Sequence, residues 1–148
     1  MKRAPSFLLI LVFTGLFSFA PAKNNDIADD VLTYTNAFRE SKGLEDLKSN
    51  KVLDAIAQKH SKDMAAGRVK FGHDGFAKRN AQAQKQIAGL RYFAENVAFG
   101  VNSGEAVVNL WKNSDGHRKN MLGKFLQIGI GVAKDKQGRL FYTQVFSN

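Results

Sequence analysis

The chain contains no cysteine. A disulfide framework is therefore excluded, and so is a lipoprotein anchor, which needs a thiol to acylate. No internal repeat, low-complexity segment or inter-domain linker is visible, and beyond residue 22 no apolar run approaches the length of a membrane span. The positive charges are not massed in one run. Lys48, Lys51, Lys59, Lys62, Lys78, Arg79, Lys85, Arg91, Lys112, Arg118, Lys119 and Lys124 are scattered, as solvated helix faces would have them. With no recognition motif beside them, they argue against nucleic acid as a partner. Attraction to anionic envelope polymers or lipid headgroups stays open.

What is present begins with an address. Lys2 and Arg3 precede the uncharged run Phe7 to Phe19, and Ala20-Pro21-Ala22 supplies a small-residue cleavage site. Residues 1–22 read as a secretory signal peptide and 23–148 as a single domain, secreted or periplasmic, with no transmembrane span after cleavage. Removing Lys2 and Arg3 leaves 20 basic against 13 acidic side chains, a net charge of +7. A domain of this length without cross-links must be held by packing alone.

The apolar periods set out the elements. Ile27, Val31, Tyr34 and Phe38 form one stripe of a helix from about Asn25 to Glu40, stopped at Gly43; Asn36 and Arg39 sit near its end, placed to tie it to a neighbour. Leu53, Ile56, Ala57, His60 and Met64 share a face of a second helix, Asn50 to Ala66. His60 on that stripe reads as a satisfied core histidine. Phe76 to Ala88 reads as a polar helix. Tyr92 to Phe99 alternates as a strand, and Ser103 caps the helix that carries Trp111. Ile128 to Ala133 and Leu140 to Phe146 form a hairpin about Asp135-Lys136-Gln137-Gly138, with Gly129 and Gly131 on one face leaving room for a helix. The expected class is α+β, a sheet covered by helices on both sides.

Three places carry unusual chemistry. In WKNSDGHRKNML, from Trp111 to Leu122, the stripe Val107, Leu110, Trp111 and Ser114 puts a hydroxyl on an apolar face. Asp115 then reads as the N-cap of a short helix to Met121. His117 falls in that helix's first turn, where the dipole disfavours imidazolium, so it is available as acceptor, base or ligand. Taken alone, the stretch favours the plainer reading, in which Ser114 and His117 simply cap and brace a helix–helix corner. Glu95 shares its strand face with Phe93, Val97 and Phe99, and an ionised carboxylate there needs a cation, a metal or backbone hydrogen bonds. His73 stands on a sharp loop between Gly72 and Gly75.

These signals together resemble the CAP domain, also called SCP, of the cysteine-rich secretory, antigen 5 and pathogenesis-related proteins. The matching residues are Asn36-x-x-Arg39, Ala57-x-x-His60-Ser61-x-x-Met64, Gly72-His73 and Ala94-Glu95-Asn96-Val97-Ala98. They continue through Trp111-x-x-Ser114-x-Gly116-His117-Arg118-x-Asn120-Met121-Leu122, Ile128-Gly129-Ile130-Gly131 and Tyr142-Thr143-Gln144-Val145-Phe146. The likeness spans nearly the whole domain and lies nearest the single-domain bacterial branch. It implies a three-layer α-β-α sandwich with a small, mostly antiparallel central sheet, and a cleft holding two histidines and two acidic residues, sometimes with zinc. Carried over, these are His73, His117 and Glu95; the second acidic position is Ser114, a departure from the four-ligand pattern.

Two functions follow as expectations. One is a non-enzymatic binding module, expected to be monomeric, whose cleft of His73, Glu95, Ser114, His117 and Asn96 accepts a lipid, envelope or protein ligand. His73, His117 and Glu95 would be open to Zn2+ as its metal ligands. The alternative is a hydrolase using zinc-activated water on those residues, or Ser114 with His117 as nucleophile and base. A short Gly123 to Gln127 segment argues against a sterol-binding loop. A purely structural role, with the polar cluster tying sheet to helices, is a third possibility.

Overall fold

A computed structural model describes residues 26–148. The expected signal peptide and the first residues of the domain lie outside them. Each main helix starts where a polar side chain takes up its free N–H groups. Asp26 accepts from Ala28 ahead of α1 (Ile27–Glu40). Asn50 accepts from Val52 and Leu53 ahead of α2 (Lys51–Ala65). Ser103 accepts from Ala106 ahead of α4 (Gly104–Lys112). Between them lie β1 (Lys48–Ser49), α3 (Phe76–Gln86) and β2 (Phe93–Phe99); α5 (Asp115–Met121), β3 (Gln127–Lys134) and β4 (Leu140–Ser147) complete the chain.

The sheet runs β1-β3-β4-β2. Its two long pairings are antiparallel, and only the two-residue β1 runs parallel, beside β3. β1 is too short to show a period, and its residues suggest no strand in the sequence.

The alternation of β2 and β3 decides which helix covers which face. Gly129 and Gly131 look toward α2, where an added Cβ would stand 2.1 Å from the Leu53 carbonyl carbon and 2.3 Å from that of Ala57. Helix and sheet therefore touch backbone to backbone there. Leu53, Ile56, Ala57, Ala83, Leu90 and Val145 form the core of that layer. On the other face Ile128, Ile130, Tyr142 and Phe146 pack with Val31, Val107, Val108 and Trp111 from α1 and α4. Three layers result, α2 and α3 on one side and α1, α4 and α5 on the other.

Charged and polar side chains close the joints. Arg39 is 3% exposed. It donates to the carbonyls of Glu45, Met121 and Gly123, so one guanidinium fastens α1 to the turn after α5. Asn36 exchanges two hydrogen bonds with the Leu47 backbone. Trp111 Nε1 donates to the Val97 carbonyl. A buried chain crosses the second layer: Gln144 donates to Thr35 Oγ1, and Asn96 donates to both Gln144 Oε1 and the His117 carbonyl.

The α4–α5 corner differs from its reading in the sequence. The helix breaks at Asn113–Ser114, not at Asp115-Gly116, and Ser114 holds the N-cap position without a capping hydrogen bond from its hydroxyl. Asp115 lies inside the first turn and pairs with Arg118. Leu110 is 41% exposed and Ser114 is half-buried, because the buried stripe runs through Val107, Val108 and Trp111.

Candidate functional site

The site is built at the edge strand β2. Glu95 sits opposite Val145 and so faces the α2–α3 layer, with its side chain wholly buried. An isolated carboxylate could not stay ionised there. The compensation comes from α3. Gly75, at φ 80°, turns the chain into that helix and brings Arg79 onto Glu95 one turn later. Arg79 Nε donates to Oε2 at 2.6 Å and Nη2 to Oε1 at 2.7 Å, a two-pronged fork from a side chain only 12% exposed. Arg79 also donates to the Asp74 and His73 carbonyls, which ties down the loop.

His73 completes the group. Its Nδ1 lies 2.9 Å from Glu95 Oε1. Because the carboxylate accepts, Nδ1 carries the proton, and Nε2 is the nitrogen left for other work. The imidazole is half exposed. From behind, the buried His60 donates through Nε2 to the Gly72 carbonyl at 2.9 Å, bracing the residue before His73. His60 is thus a satisfied core histidine that also steadies the site.

His117 approaches from the α5 side. Its carbonyl receives Asn96, while Asn120, one turn on, donates to the Glu95 carbonyl and to Asn96 Oδ1. The His117 Nδ1 is buried without a hydrogen-bond partner. Asn96, placed with the cleft on sequence grounds, is instead fully buried on the opposite face, where it braces α5. His73, Glu95, Phe76, Phe93, Ala94 and Asn120 line an open cleft of about 480 Å3. Phe76 and Phe93 form its aromatic wall, their rings 5.4 Å apart.

Sequence reasoning missed Arg79, which it counted among the scattered surface charges. Glu95 signalled its need of a cation, but nothing in the polar helix after the His73 loop marks Arg79 as the inward one. Its presence bears on zinc. Both Glu95 oxygens are engaged, and among the described residues no cluster of three or more His, Asp or Glu is arranged to hold a metal ion. The donor set as it stands does not fit the three-ligand centre expected from His73, His117 and Glu95.

Both inner histidines resist protonation. Burial holds His60 below its ordinary value of 6.5, partly offset by the Gly72 hydrogen bond. Burial, and then the neighbouring His73, do the same to His117. In each case the unfolded chain takes up the proton first as pH falls. The contribution of these two histidines to stability is accordingly level above about pH 7 and declines as pH drops through 6.5 toward the lower folded values. Thermal midpoints measured across that window should show the decline, and His117→Gln should make it shallower. An equal slope in both proteins would contradict this account of His117.

Comparison with known proteins agrees with this architecture. Residues 32–146 match the cysteine-rich secretory protein family, CAP. The chain is 33% identical over 124 residues to the uncharacterized protein YkwD of Bacillus subtilis, covering 82% of this chain and 48% of that protein. It therefore spans about half the length of that relative. An extracellular protein containing an SCP domain from Bacillus anthracis superimposes with a TM-score of 0.71 at 31% identity, covering 82% of this chain and 40% of that one. A cysteine-rich secretory protein from Staphylococcus aureus gives a TM-score of 0.69 at 28% identity, covering 86% and 40%. No helix among the described residues is long and apolar enough to cross a membrane.

Proposed function

The chain belongs to the cysteine-rich secretory protein (CAP) family, and from that premise we propose that it acts outside the cytoplasm as a non-enzymatic binding module. Its cleft would take an anionic envelope ligand, a polymer or a lipid headgroup, at His73. The carrying observation is the state of His73: Nδ1 is locked to a buried carboxylate, and the ring is half exposed beside the Phe76–Phe93 wall. A ring fixed in this way loses little freedom on binding. Protonated, Nε2 donates to an anion, and the surplus of basic side chains raises the local concentration of anionic ligands.

A zinc hydrolase on the same residues would need Glu95 as a ligand, yet Glu95 is held by Arg79. The serine scheme fares no better, since Ser114 makes no hydrogen bond to an imidazole. The His73–Glu95 pair alone could still orient a general base, so turnover is assayed alongside binding.

Sedimentation with purified cell-wall polymer and with anionic vesicles, each against a neutral counterpart, tests the reading. Binding should fall about tenfold in His73→Ala, the loss of one charged hydrogen bond. Unchanged binding in His73→Ala, or release of product from peptide, ester or peptidoglycan substrates, would reject it.

A further inference from the structure

We infer that the end of the sandwich carrying Phe71 and Phe99 is a docking face for an anionic lipid surface, with the two rings entering the acyl boundary and nearby lysines meeting the headgroups. Both side chains are large, apolar and open to water: Phe71 is 47% exposed and Phe99 42%. They touch each other, with ring centroids 4.7 Å apart, and Phe99 stacks on Phe141 at 5.4 Å. Phe141 forms a small core cluster with Met64 and Val97, against which Ala65 and Val69 pack. The aromatic wedge is therefore rooted in the fold and has little freedom to lose when it enters another phase. Adjoining rings left in water in this way mark a surface that something else covers.

Charge decides what covers it. Lys70 adjoins Phe71 in the chain, Lys134 ends β3, and Lys136 lines a recess of about 360 Å3 together with Met64 and Phe141. All three lysines are exposed and make no ion pair among the described residues. The acids beside them are already engaged, Asp63 by Lys59 and Arg68 and Asp135 by Arg139. An exposed aromatic pair flanked by uncompensated positive charge suits the boundary of an anionic bilayer, where rings bury and lysines reach the headgroups. A second copy of this chain, with 22 basic against 13 acidic side chains, would bring like charge against the same lysines. A soluble polyanion would satisfy the lysines and leave the rings in water. The face is separate from the His73 site and does not rest on it. The two are aligned all the same: Glu95 and Phe99 share one face of β2, about 13 Å apart along the strand.

The test uses the purified protein with mixed phosphatidylglycerol–phosphatidylcholine vesicles, with phosphatidylcholine vesicles, and with dextran sulfate as a lipid-free polyanion. Wild type is expected to sediment with the anionic vesicles, and more weakly as salt rises. Phe71→Ser should lower the partition coefficient about fivefold and Phe71→Ser/Phe99→Ser about twentyfold, since each ring has roughly half its surface left to bury. Lys70→Gln/Lys136→Gln should also lower it about twentyfold. Phe71→Trp should shift to blue emission on anionic vesicles and be quenched by brominated acyl chains. Trp111, wholly buried, supplies a constant background. Absence of wild-type sedimentation would overturn the inference, as would full binding by a Phe71→Ser protein of normal thermal midpoint. So would unshifted emission from vesicle-bound Phe71→Trp, equal binding to neutral vesicles, or a dextran sulfate affinity that falls with the same serine substitutions. If the double serine variant does not fold, Phe71→Ser and the emission shift decide. His73→Ala should leave the Phe71→Trp shift in place, so either reading can fail without the other.

Discussion

Arg79→Met should destabilise the protein by about 3–5 kcal/mol, the cost of stranding a buried charge once its partner is gone. The side chain left behind is Glu95, fully inaccessible and without the two shortest of its three hydrogen bonds. Adding Glu95→Gln should recover most of the loss, because a neutral amide no longer demands a cation. Denaturant midpoints of the two single variants and the double variant give the coupling directly. A loss under about 1 kcal/mol for Arg79→Met would mean that the pair behaves as an exposed surface bridge and that Glu95 is solvated after all. The cycle also separates structure from recognition. Should Glu95→Gln alone weaken the fold and leave ligand binding intact, the cluster serves only to tie sheet to helices.

The second large effect is expected at the helix–sheet seam. Gly131→Ala drives a methyl group to 2.3 Å from the Ala57 carbonyl carbon, and Gly129→Ala drives one to 2.1 Å from that of Leu53. Neither neighbour is a flexible side-chain end, so α2 must lift from β3. Overpacking of this kind costs about 3 kcal/mol, or around 10 °C in a domain of this size. The damage should reach the site, since α2 carries His60, which holds the Gly72 carbonyl next to His73. Gly116→Ala is the control. A methyl there meets nothing within 4 Å, and in a helix alanine is favoured over glycine. Calorimetry that found Gly131→Ala as stable as Gly116→Ala would show that the seam has slack.

The parts of this molecule legible in the sequence are those written in local periods. The stripes of α1 and α2, the cap at Ser103, the alternation of β2 and the paired glycines of β3 each occupy a short window, and each predicts its own environment. The alternation put Glu95 on a buried face, and its need for a partner was therefore legible as well. Which partner was not. Arg79 meets Glu95 across 16 residues and a sharp loop, and nothing in a polar helix marks one basic residue as the inward one. The same limit explains Asn96. Its place on the face opposite Glu95 was readable, but its burial depends on Gln144 and Thr35, side chains 48 residues away and farther still. At the α4–α5 corner the error was one of phase. Reading Leu110 and Ser114 into the stripe of Trp111 ignored Val108, whose full burial moves the inward face of the helix away from Leu110. β1, two residues long, offers no period at all.

Because β2 is the outermost strand on its side of the sheet, its outward carbonyls are a template on which another extended chain could grow. Two of them, those of Glu95 and Val97, are already taken by Asn120 Nδ2 and Trp111 Nε1. The helical corner after β2 thus acts as a stopper against edge-to-edge aggregation, in a polypeptide with no cross-link to hold that border shut. Asn120, which lines the cleft, is also one of the two side chains that keep neighbouring molecules from zipping together.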